Sequence, residues 1–237
     1  MSTTVSVIGS TGRMGQLAIK LIEESEDLSV HSQLSSSSKL EECLGADVIL
    51  DLSKPDVSES VADFVMANNL RAVIGTSGWS KEKLDGLRKK MAGSSATIAV
   101  VPNFSIGSVL STKFAAEASK YFDSVEIIET HHTSKLDAPS GTALFTSQEI
   151  SSAREEKPSS TNSLDAPLFS GIPILSKRID GAHAEQEVFL GNPEESIYLK
   201  HVVTSHEVYS AGLMISLRKI SSVSGLQVGL LSLLESN

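Results

Sequence analysis

The stretch TTVSVIGSTGRMGQLAIKLIEES, residues 3–25, decides the fold of the first half of this chain. Its first residues are apolar and β-branched and stop at Gly9, which is typical of a buried strand. After Arg13, apolar residues recur at helical spacing, at Met14, Leu17, Ala18, Leu21 and Ile22. The stretch therefore predicts a strand, a glycine turn and a helix.

The glycine turn carries the first functional prediction. Gly9, Gly12 and Gly15 have the spacing G-x-x-G-x-x-G, whereas G-x-G-x-x-G is commoner. Glycines at this position allow a tight turn, and the following helix start offers N–H groups and a positive dipole end to a phosphate. We therefore predict a dinucleotide site here, with Arg13 near the phosphate charge. The alternatives are glycines that only end a strand and an arginine that is simply exposed.

Further strands and helices alternate along the first half. Strands are predicted at 28–34, 46–53, 71–76 and 96–103, with helices at 55–69 and 80–92. Nearly continuous apolar strands between helices favour a parallel sheet that is covered on both faces. The loops GTSG (75–78) and VPNFS (101–105) follow two of these strands, where α/β sheets bind ligands.

The second half has a different pattern. Helices are predicted at 106–120 and 140–153 and strands at 123–132, 171–179, 184–190 and 195–204. The run of strands predicts a second domain of mixed or antiparallel type. The charged, Ser/Pro-rich segment 154–167 is predicted to be a mobile loop. A last helix at 210–223 is compatible with a return to the first domain.

Composition limits the classes of partner and the compartment. The 237 residues carry a formal net charge of −9, which argues against broad binding of nucleic acid or anionic membranes. The single cysteine, Cys43, excludes an internal disulfide and fits a reducing compartment. No apolar run has the length of a membrane span, and the first strand begins almost at the first residue. We expect a cytoplasmic protein and predict no metal site.

The stretch ETHHTSKLDAPSGTA, residues 129–143, concentrates basic groups beside a helix start. His131, His132 and Lys135 follow a predicted strand, and Gly141 and Thr142 begin a helix whose N–H groups can hold a carboxylate. Histidine exchanges protons near neutral pH, and lysine can protonate a carbanion. The cluster predicts a small dicarboxylate substrate that accepts a hydride and then a proton. The alternative is a set of ordinary surface residues.

These residues resemble a known family. In family order, the pieces GSTGRMG, DLSKP, GTSGW, VPNFSIG, ETHHTSKLDAPSGTA and SAGLMISL resemble the dihydrodipicolinate (4-hydroxy-tetrahydrodipicolinate) reductases of the diaminopimelate route to lysine. The resemblance implies α/β architecture, with a Rossmann-type dinucleotide-binding domain over 1–105 and 207–237. A central α+β domain over 106–206 would bind substrate and assemble a homotetramer through its sheet.

The resemblance also implies roles for single residues. His131 matches the family's acid/base residue, Lys135 its proton donor, and His132, Gly141 and Thr142 its contacts to substrate carboxylates. Three loops match its nucleotide contacts, and they comprise Gly9, Ser10, Thr11, Gly12, Arg13 and Met14, then Gly75, Thr76 and Ser77, then Val101, Pro102, Asn103 and Phe104.

The sequence departs from the family pattern in four places, one of which is a shortened segment between SSSSK and GADVIL. No acidic residue follows the second strand, and Ser35 or Ser36 stands near its expected position, followed by Lys39. Because that acid would repel the 2′-phosphate, we predict that NADPH is used at least as well as NADH. The alternative is a flexible serine loop that recognises neither NADPH nor NADH. A family Gly-Glu-His triplet is replaced around HAE (183–185), and a family arginine aligns with His206.

Two other functions remain open at the level of the sequence. One is a nicotinamide-dependent reductase of another small carbonyl or imine acid, which would have less use for the His-His-Lys stretch. The other is a dinucleotide-binding sensor without catalysis, which would have no reason to keep His131 and Lys135.

Overall fold

The computed structural model describes residues 2–154 and 165–236 and divides into two compact units. Unit 1 comprises Met1–Ile106 and Tyr209–Asn237, and unit 2 comprises Gly107–Val208. Each unit has its own sheet and its own hydrophobic core. Most of the charged segment predicted as a loop, namely 155–164, lies outside the described residues.

Unit 1 is built on a six-stranded sheet. With elements numbered in chain order, its strands are β1 (Thr3–Ile8), β2 (Leu28–Leu34), β3 (Val48–Asp51), β4 (Arg71–Ile74), β5 (Thr97–Val100) and β11 (Gly225–Val228). Their order is β11-β5-β4-β3-β1-β2, and every neighbouring pair is parallel. The predicted Rossmann-type sheet is confirmed.

The helices of unit 1 alternate with these strands along the chain, and the last helix follows β11. They are α1 (Arg13–Glu23), α2 (Pro55–Ala67), α3 (Lys81–Lys90), α6 (Ser210–Lys219) and α7 (Leu230–Leu234). The strand order reverses at β1, which pairs with β2 on one side and with β3 on the other. The turn after β1 therefore lies at the topological switch point, where doubly wound sheets bind their ligands.

The C-terminal segment of unit 1 differs from the sequence prediction. The helix predicted over 210–223 ends at Lys219 and continues as a short 3-10 helix, Ile220–Ser222. Strand β11, which the sequence analysis missed, then pairs with β5 at the edge of the sheet. It has only four residues, none of them buried, and it begins at Gly225, whose φ is +67°. Its sequence therefore lacks the apolar pattern that predicts a strand.

Unit 2 contains a five-stranded mixed sheet. Its strands are β6 (Ser124–His131), β7 (Leu168–Phe169), β8 (Ile172–Arg178), β9 (Ala184–Gly191) and β10 (Ser196–Val203). Their order is β10-β9-β6-β8-β7, with β6 parallel to β8 and antiparallel to β9. The predicted mixed second domain is confirmed.

Two helices, α4 (Ile106–Ser119) and α5 (Gly141–Ala153), pack with one face of this sheet around a core that includes Ile127 and Ile174. Successive strand residues point to opposite faces, so Glu129 and His131 share the helix-covered face with Ile127. The last residues of β6 thus direct a carboxylate and an imidazole towards the interior of unit 2.

Among the described residues, no helix has the length and apolarity needed to cross a membrane.

Candidate active site

The turn after β1 is shaped by close contact between backbone segments. Gly9 has a φ of +80°, and a Cβ there would lie 2.6 Å from the carbonyl oxygen of Leu52. A Cβ on Gly15 would lie 2.2 Å from the carbonyl oxygen of Gly9. No real side chain tolerates either distance, so both positions require glycine and hold α1 directly against the turn.

The start of α1 fits a phosphate group. Gly12 is the N-cap and supplies no side-chain hydrogen bond, so first-turn N–H groups that lack an intrahelical acceptor face the turn. The sequence-predicted residues Ser10, Thr11, Arg13 and Met14 lie on this same turn. Ser10 is buried and donates its hydroxyl to the carbonyl oxygen of Leu34 at 3.0 Å, which fixes the turn against the end of β2.

A buried hydrogen-bond network underlies the next two loops. Asp51, fully buried at the end of β3, accepts from the Ser53 hydroxyl and the Ser58 hydroxyl, each at 2.5 Å. Ser58 also contacts the Thr76 hydroxyl at 2.6 Å, and the Trp79 indole donates to Thr76 at 3.4 Å. Because Ser58 has one proton and gives it to Asp51, Thr76 donates to Ser58. The network ties the carboxyl ends of β3 and β4 together.

The loop after β4 is anchored by this network through Thr76. Gly75 follows β4 directly, and a Cβ there would lie 2.7 Å from both Leu52 and Phe104. Ser77 is exposed beside it. The loop predicted to contact the nucleotide thus has a fixed base and an accessible edge. The sequence patterns did not indicate a role for Asp51 or Ser58, although DLS ends the predicted strand 46–53 and Ser58 is the fourth residue of α2.

The loop after β5 has two kinds of residue. Val101 and Phe104 are buried, so their side chains serve the core of unit 1 and only their backbone can reach a ligand. Pro102 is exposed and Asn103 is half-buried, with its side-chain oxygen accepting from the backbone N–H of Ser105 at 2.9 Å. Because β1, β3, β4 and β5 are parallel, all these loops lie at one edge of the sheet.

The serine segment after β2 forms a hydrogen-bonded turn. The Ser35 N–H donates to the Ser38 hydroxyl at 3.2 Å, and the Ser35 and Ser37 hydroxyls lie 3.0 Å apart. Ser36 is exposed at the tip. The Lys39 N–H donates to the Glu42 carboxylate at 2.8 Å, where a short 3-10 helix, Leu40–Cys43, begins. Exposed hydroxyls and Lys39 thus lie at the end of β2. In dinucleotide folds, a residue at this strand end binds the ribose of the cofactor.

In unit 2, a buried carboxylate organises the basic stretch. Glu129 is fully buried, and its two oxygens have different partners: one contacts His131 Nδ1, and the other accepts from the Arg178 guanidinium at 3.0 Å. Parallel pairing of β6 with β8 places His131 opposite Arg178. Burial raises the pKa of Glu129, but hydrogen bonds from Ser176, His131 and Arg178 outweigh it and leave that pKa below its usual range.

The same surroundings act on the imidazole. Burial lowers the pKa of His131, the hydrogen bond and charge of Glu129 oppose that change, and the positive charges of Lys135 and Arg178 add to it. The net shift is downward. His131 is therefore held mostly neutral near pH 7, as a base that can still take a proton.

The other two basic residues lie in the loop after β6. Lys135 Nζ pairs with both oxygens of Asp137, at 2.8 and 2.7 Å, and this hydrogen bond lowers the pKa of Asp137. His132 is exposed and its Nδ1 lies 2.6 Å from the Ser134 hydroxyl. Arg178 also donates to the carbonyl oxygens of Lys135 and Asp137, at 3.2 and 2.6 Å. The loop is thus fastened to the same arginine that holds Glu129.

The start of α5 lies next in the chain. Ser140 is the N-cap and accepts from the Ala143 N–H at 3.2 Å, which leaves the N–H groups of Gly141 and Thr142 without an intrahelical acceptor. A Cβ on Gly141 would meet nothing within 4 Å, so internal packing does not explain this glycine. The start of α5 is therefore open on this side.

Two of the predicted departures can be located. His183 is exposed immediately before β9, and His206 is exposed at the first residue of a 3-10 helix, His206–Tyr209. The sequence analysis gave no role to Glu129 or Arg178. Their contact joins residues 49 positions apart and depends on the register of β6 with β8, which a single sequence does not reveal.

The parallel sheet with its glycine turn, together with a separate unit that holds paired acidic and basic groups, defines a dinucleotide-dependent oxidoreductase of two units. Family comparison makes this specific. The model described as "Dihydrodipicolinate reductase, N-terminus" matches residues 3–104, and "Dihydrodipicolinate reductase, C-terminus" matches residues 107–234. The chain belongs to the dihydrodipicolinate reductase family.

Similar proteins support this assignment over nearly the whole chain. The 4-hydroxy-tetrahydrodipicolinate reductase of Clavibacter sepedonicus is 37% identical and covers 97% of this chain and 85% of its own. That of Streptomyces griseus subsp. griseus is 36% identical, with 98% of both chains covered. A dipicolinate-bound dihydrodipicolinate reductase from Paenisporosarcina sp. TG-14 has a TM-score of 0.84 and 31% identity, and covers 97% of this chain and 98% of its own.

Proposed function

We propose that this chain is a reductase that converts 4-hydroxy-tetrahydrodipicolinate to tetrahydrodipicolinate in the diaminopimelate route to lysine. One hydride from NAD(P)H and one proton are added, and water is lost. The observation that carries the proposal is the cluster after β6, in which Glu129 and Arg178 organise His131 and the Lys135 loop. This cluster occurs in a chain of the dihydrodipicolinate reductase family.

In this proposal unit 1 binds the nicotinamide cofactor, which supplies the hydride. The turn from Gly9 to Met14 holds the pyrophosphate, because close backbone packing and an uncapped helix start leave N–H groups for its oxygens. The loops Gly75–Ser77 and Val101–Phe104, at the same edge of the sheet, contact the rest of the dinucleotide. The assignment of NADPH as at least as good a donor as NADH belongs to the same proposal.

Unit 2 binds the substrate. The N–H groups of Gly141 and Thr142 and the Thr142 hydroxyl hold one carboxylate at the start of α5, and His132 contacts a carboxylate from the loop after β6. The solved relative from Paenisporosarcina sp. TG-14 is described as dipicolinate-bound, and dipicolinate is a ring dicarboxylate of the same kind. The chain as a whole carries a net charge of −9 and repels anions. The basic stretch 129–143 is therefore where a dianionic substrate is attracted.

Lys135 and His131 handle the proton. Lys135, whose Nζ contacts both oxygens of Asp137, delivers the proton to the reduced ring. His131 is the acid/base residue beside it, held neutral and able to exchange a proton.

Assembly and location complete the proposal. The sheet face opposite α5 exposes 62% of Tyr198 and 45% of Val202, beside charged residues such as Lys200 and Glu187. We propose a homotetramer that covers this face, as the family resemblance implies, in the cytoplasm. Light scattering at micromolar concentration is expected to give a tetramer, and a clean monomer would exclude it.

A coupled assay tests the function. Freshly generated 4-hydroxy-tetrahydrodipicolinate is supplied with NADPH or NADH, and consumption of the reduced cofactor is followed by absorbance. Substrate-dependent consumption with formation of tetrahydrodipicolinate is expected. Consumption only with other carbonyl or imine acids would favour a different reductase, and nucleotide binding without any turnover would favour a sensor.

A further inference from the structure

Glu129 is the one member of the unit 2 cluster that is buried too deeply to contact a substrate, since none of its surface is exposed. Its two oxygens nevertheless contact two functional parts of the cluster. One oxygen contacts His131 Nδ1, and the other accepts from Arg178, which in turn donates to the carbonyl oxygens of Lys135 and Asp137. A fully buried carboxylate with only a packing role would be costly to keep.

The chemistry of the contact fixes the state of the imidazole. An ionised carboxylate can only accept hydrogen bonds, so the proton of a neutral His131 must lie on Nδ1. Its Nε2 is then unprotonated and is the nitrogen left to exchange a proton with a ligand. Arg178 supports this state because its positive charge, at 3.0 Å from the other oxygen, favours the ionised form of Glu129.

We propose that Glu129 is a positioning residue: its carboxylate fixes His131 through Nδ1 and dedicates Nε2 to the substrate, while Arg178 joins that carboxylate to the loop of Lys135. The assignment rests on the proposed function for its effect on turnover. It extends that function by naming the group that sets the tautomer and direction of the acid/base residue.

The kinetic test uses a matched pair of substitutions on one strand. Glu129→Gln removes the charge but keeps the size of the side chain, and Glu126→Gln makes the same change at a buried position on the opposite face of β6. We expect Glu129→Gln to lower kcat by about 10- to 100-fold, a part of the ~10²–10⁴-fold that a placed acid/base group contributes. Glu126→Gln should change kcat by less than about threefold. The NADPH dissociation constant of both variants should stay near that of the wild type.

A double-mutant cycle separates positioning from general damage to the strand. If Glu129 acts through His131, Glu129→Gln should cost less than about twofold in kcat in a His131→Ala background. Equal losses of kcat in both backgrounds, or equal kcat for Glu129→Gln and Glu126→Gln, would overturn the proposal.

The pH profile gives a second readout that a structural role would not move. The groups facing His131 are Glu129 on its own strand, Arg178 on β8 and Lys135 in the following loop, while its partner on β9 is the uncharged Ala184. Glu129 alone raises the pKa of His131, so Glu129→Gln should move the His131 limb of the kcat/KM profile to lower pH. An unmoved limb contradicts the proposal.

A measurement on the unmodified protein keeps the proposal testable if the variants fail to fold. The ring nitrogens of ¹⁵N-labelled histidine are observed by NMR, and His131→Gln identifies the signal. A neutral His131 protonated on Nδ1 is expected, and protonation on Nε2 would overturn the proposal. Because this result needs no turnover, it stands even if the coupled assay shows that the protein reduces a different substrate.

Discussion

Each unit of this protein contains a fully buried carboxylate near the carboxyl end of a strand, and the two carboxylates have different partners. Asp51, in unit 1, accepts from the hydroxyls of Ser53 and Ser58 and from the Ser53 N–H. Glu129, in unit 2, contacts the ionisable groups His131 and Arg178 in addition to the neutral Ser176 hydroxyl. Neutral donors fix geometry, whereas ionisable partners also set protonation states. The difference matches the proposed roles of the two units, with a cofactor bound by unit 1 and a proton transferred in unit 2.

The largest expected effect is the loss of proton transfer in unit 2. His131→Ala and Lys135→Ala should each lower kcat by about 10²–10⁴-fold, because each removes a proposed acid/base group, while the NADPH dissociation constant stays near that of the wild type. Steady-state kinetics and cofactor titration measure both quantities.

Controls for these two variants exist in the same unit. Lys120→Ala removes a lysine with a comparable carboxylate contact, at 2.7 Å to Glu117, and His183→Ala removes an exposed histidine. Neither should change kcat by more than about twofold. A folded His131→Ala or Lys135→Ala protein with wild-type kcat would show that the assigned role is wrong.

The next largest effect is a loss of NADPH affinity in unit 1. Gly15→Ala places a Cβ 2.2 Å from the carbonyl oxygen of Gly9, so the turn must move away from α1. We expect NADPH affinity to fall by roughly tenfold or more, with a loss of about 1–3 kcal/mol in unfolding free energy from the overlap. Isothermal titration and denaturant unfolding measure these two effects.

Gly86→Ala is the matched control, because a Cβ at Gly86, within α3, meets nothing within 4 Å. It should keep NADPH affinity and add up to ~1 kcal/mol of stability, since alanine favours the helix. If Gly15→Ala binds NADPH as well as Gly86→Ala does, the turn is not the phosphate site.

A smaller effect sharpens the comparison between the two carboxylates. Asp51→Asn replaces one carboxylate oxygen by a donor that faces other donors, and should cost about 1–3 kcal/mol of unfolding free energy. NADPH affinity should fall by a few-fold, as the loop of Thr76 loosens, while kcat at saturating NADPH holds. Asp47→Asn is the control, because this exposed aspartate binds Thr4 at the other end of the strands. A fall in kcat without a change in affinity would place Asp51 in the chemistry.

The sequence predicted much of the fold and only part of the candidate site. Glycine spacing, helical periodicity and apolar strands are local signals, so β1 to β5, their helices and the parallel sheet of unit 1 were predictable. The mixed type of the second sheet followed from its run of strands. Strand β11 was missed because four half-exposed residues do not differ from a loop in pattern.

The partners of buried polar groups were not predictable. His131, Lys135, Gly141 and Thr142 stand within one short stretch and could be read together. The contact between Glu129 and Arg178, and that between Ser58 and Thr76, depends on how distant segments align in the folded sheet. Local patterns contain no information on that alignment, so the groups that hold the predicted site residues in place appeared only in the structure.

The smallest expected effect concerns the choice between NADPH and NADH, which we expect unit 1 to make. The turn after β2 offers hydroxyls at Ser35 and Ser36 and an exposed Lys39, with no acid before the 3-10 helix that begins at Leu40. An acid at this place would bind the ribose hydroxyls of NADH and repel the 2′-phosphate of NADPH. The turn has an internal hydrogen bond from the Ser35 N–H to the Ser38 hydroxyl, so its hydroxyls are presented by an ordered backbone.

We expect kcat/KM for NADPH to equal or exceed that for NADH, and Lys39→Ala to lower it by about three- to tenfold for NADPH only. An exposed contact with a phosphate is worth roughly 1 kcal/mol at low salt and less at high salt, so the loss should shrink as salt is added. Lys20→Ala, at an exposed lysine of α1, is the control for net charge. Equal losses with both cofactors would assign Lys39 to general charge attraction. A strong wild-type preference for NADH would contradict the argument from the missing acid, and Glu41 and Glu42, in the 3-10 helix that follows, would be the next carboxylates to replace.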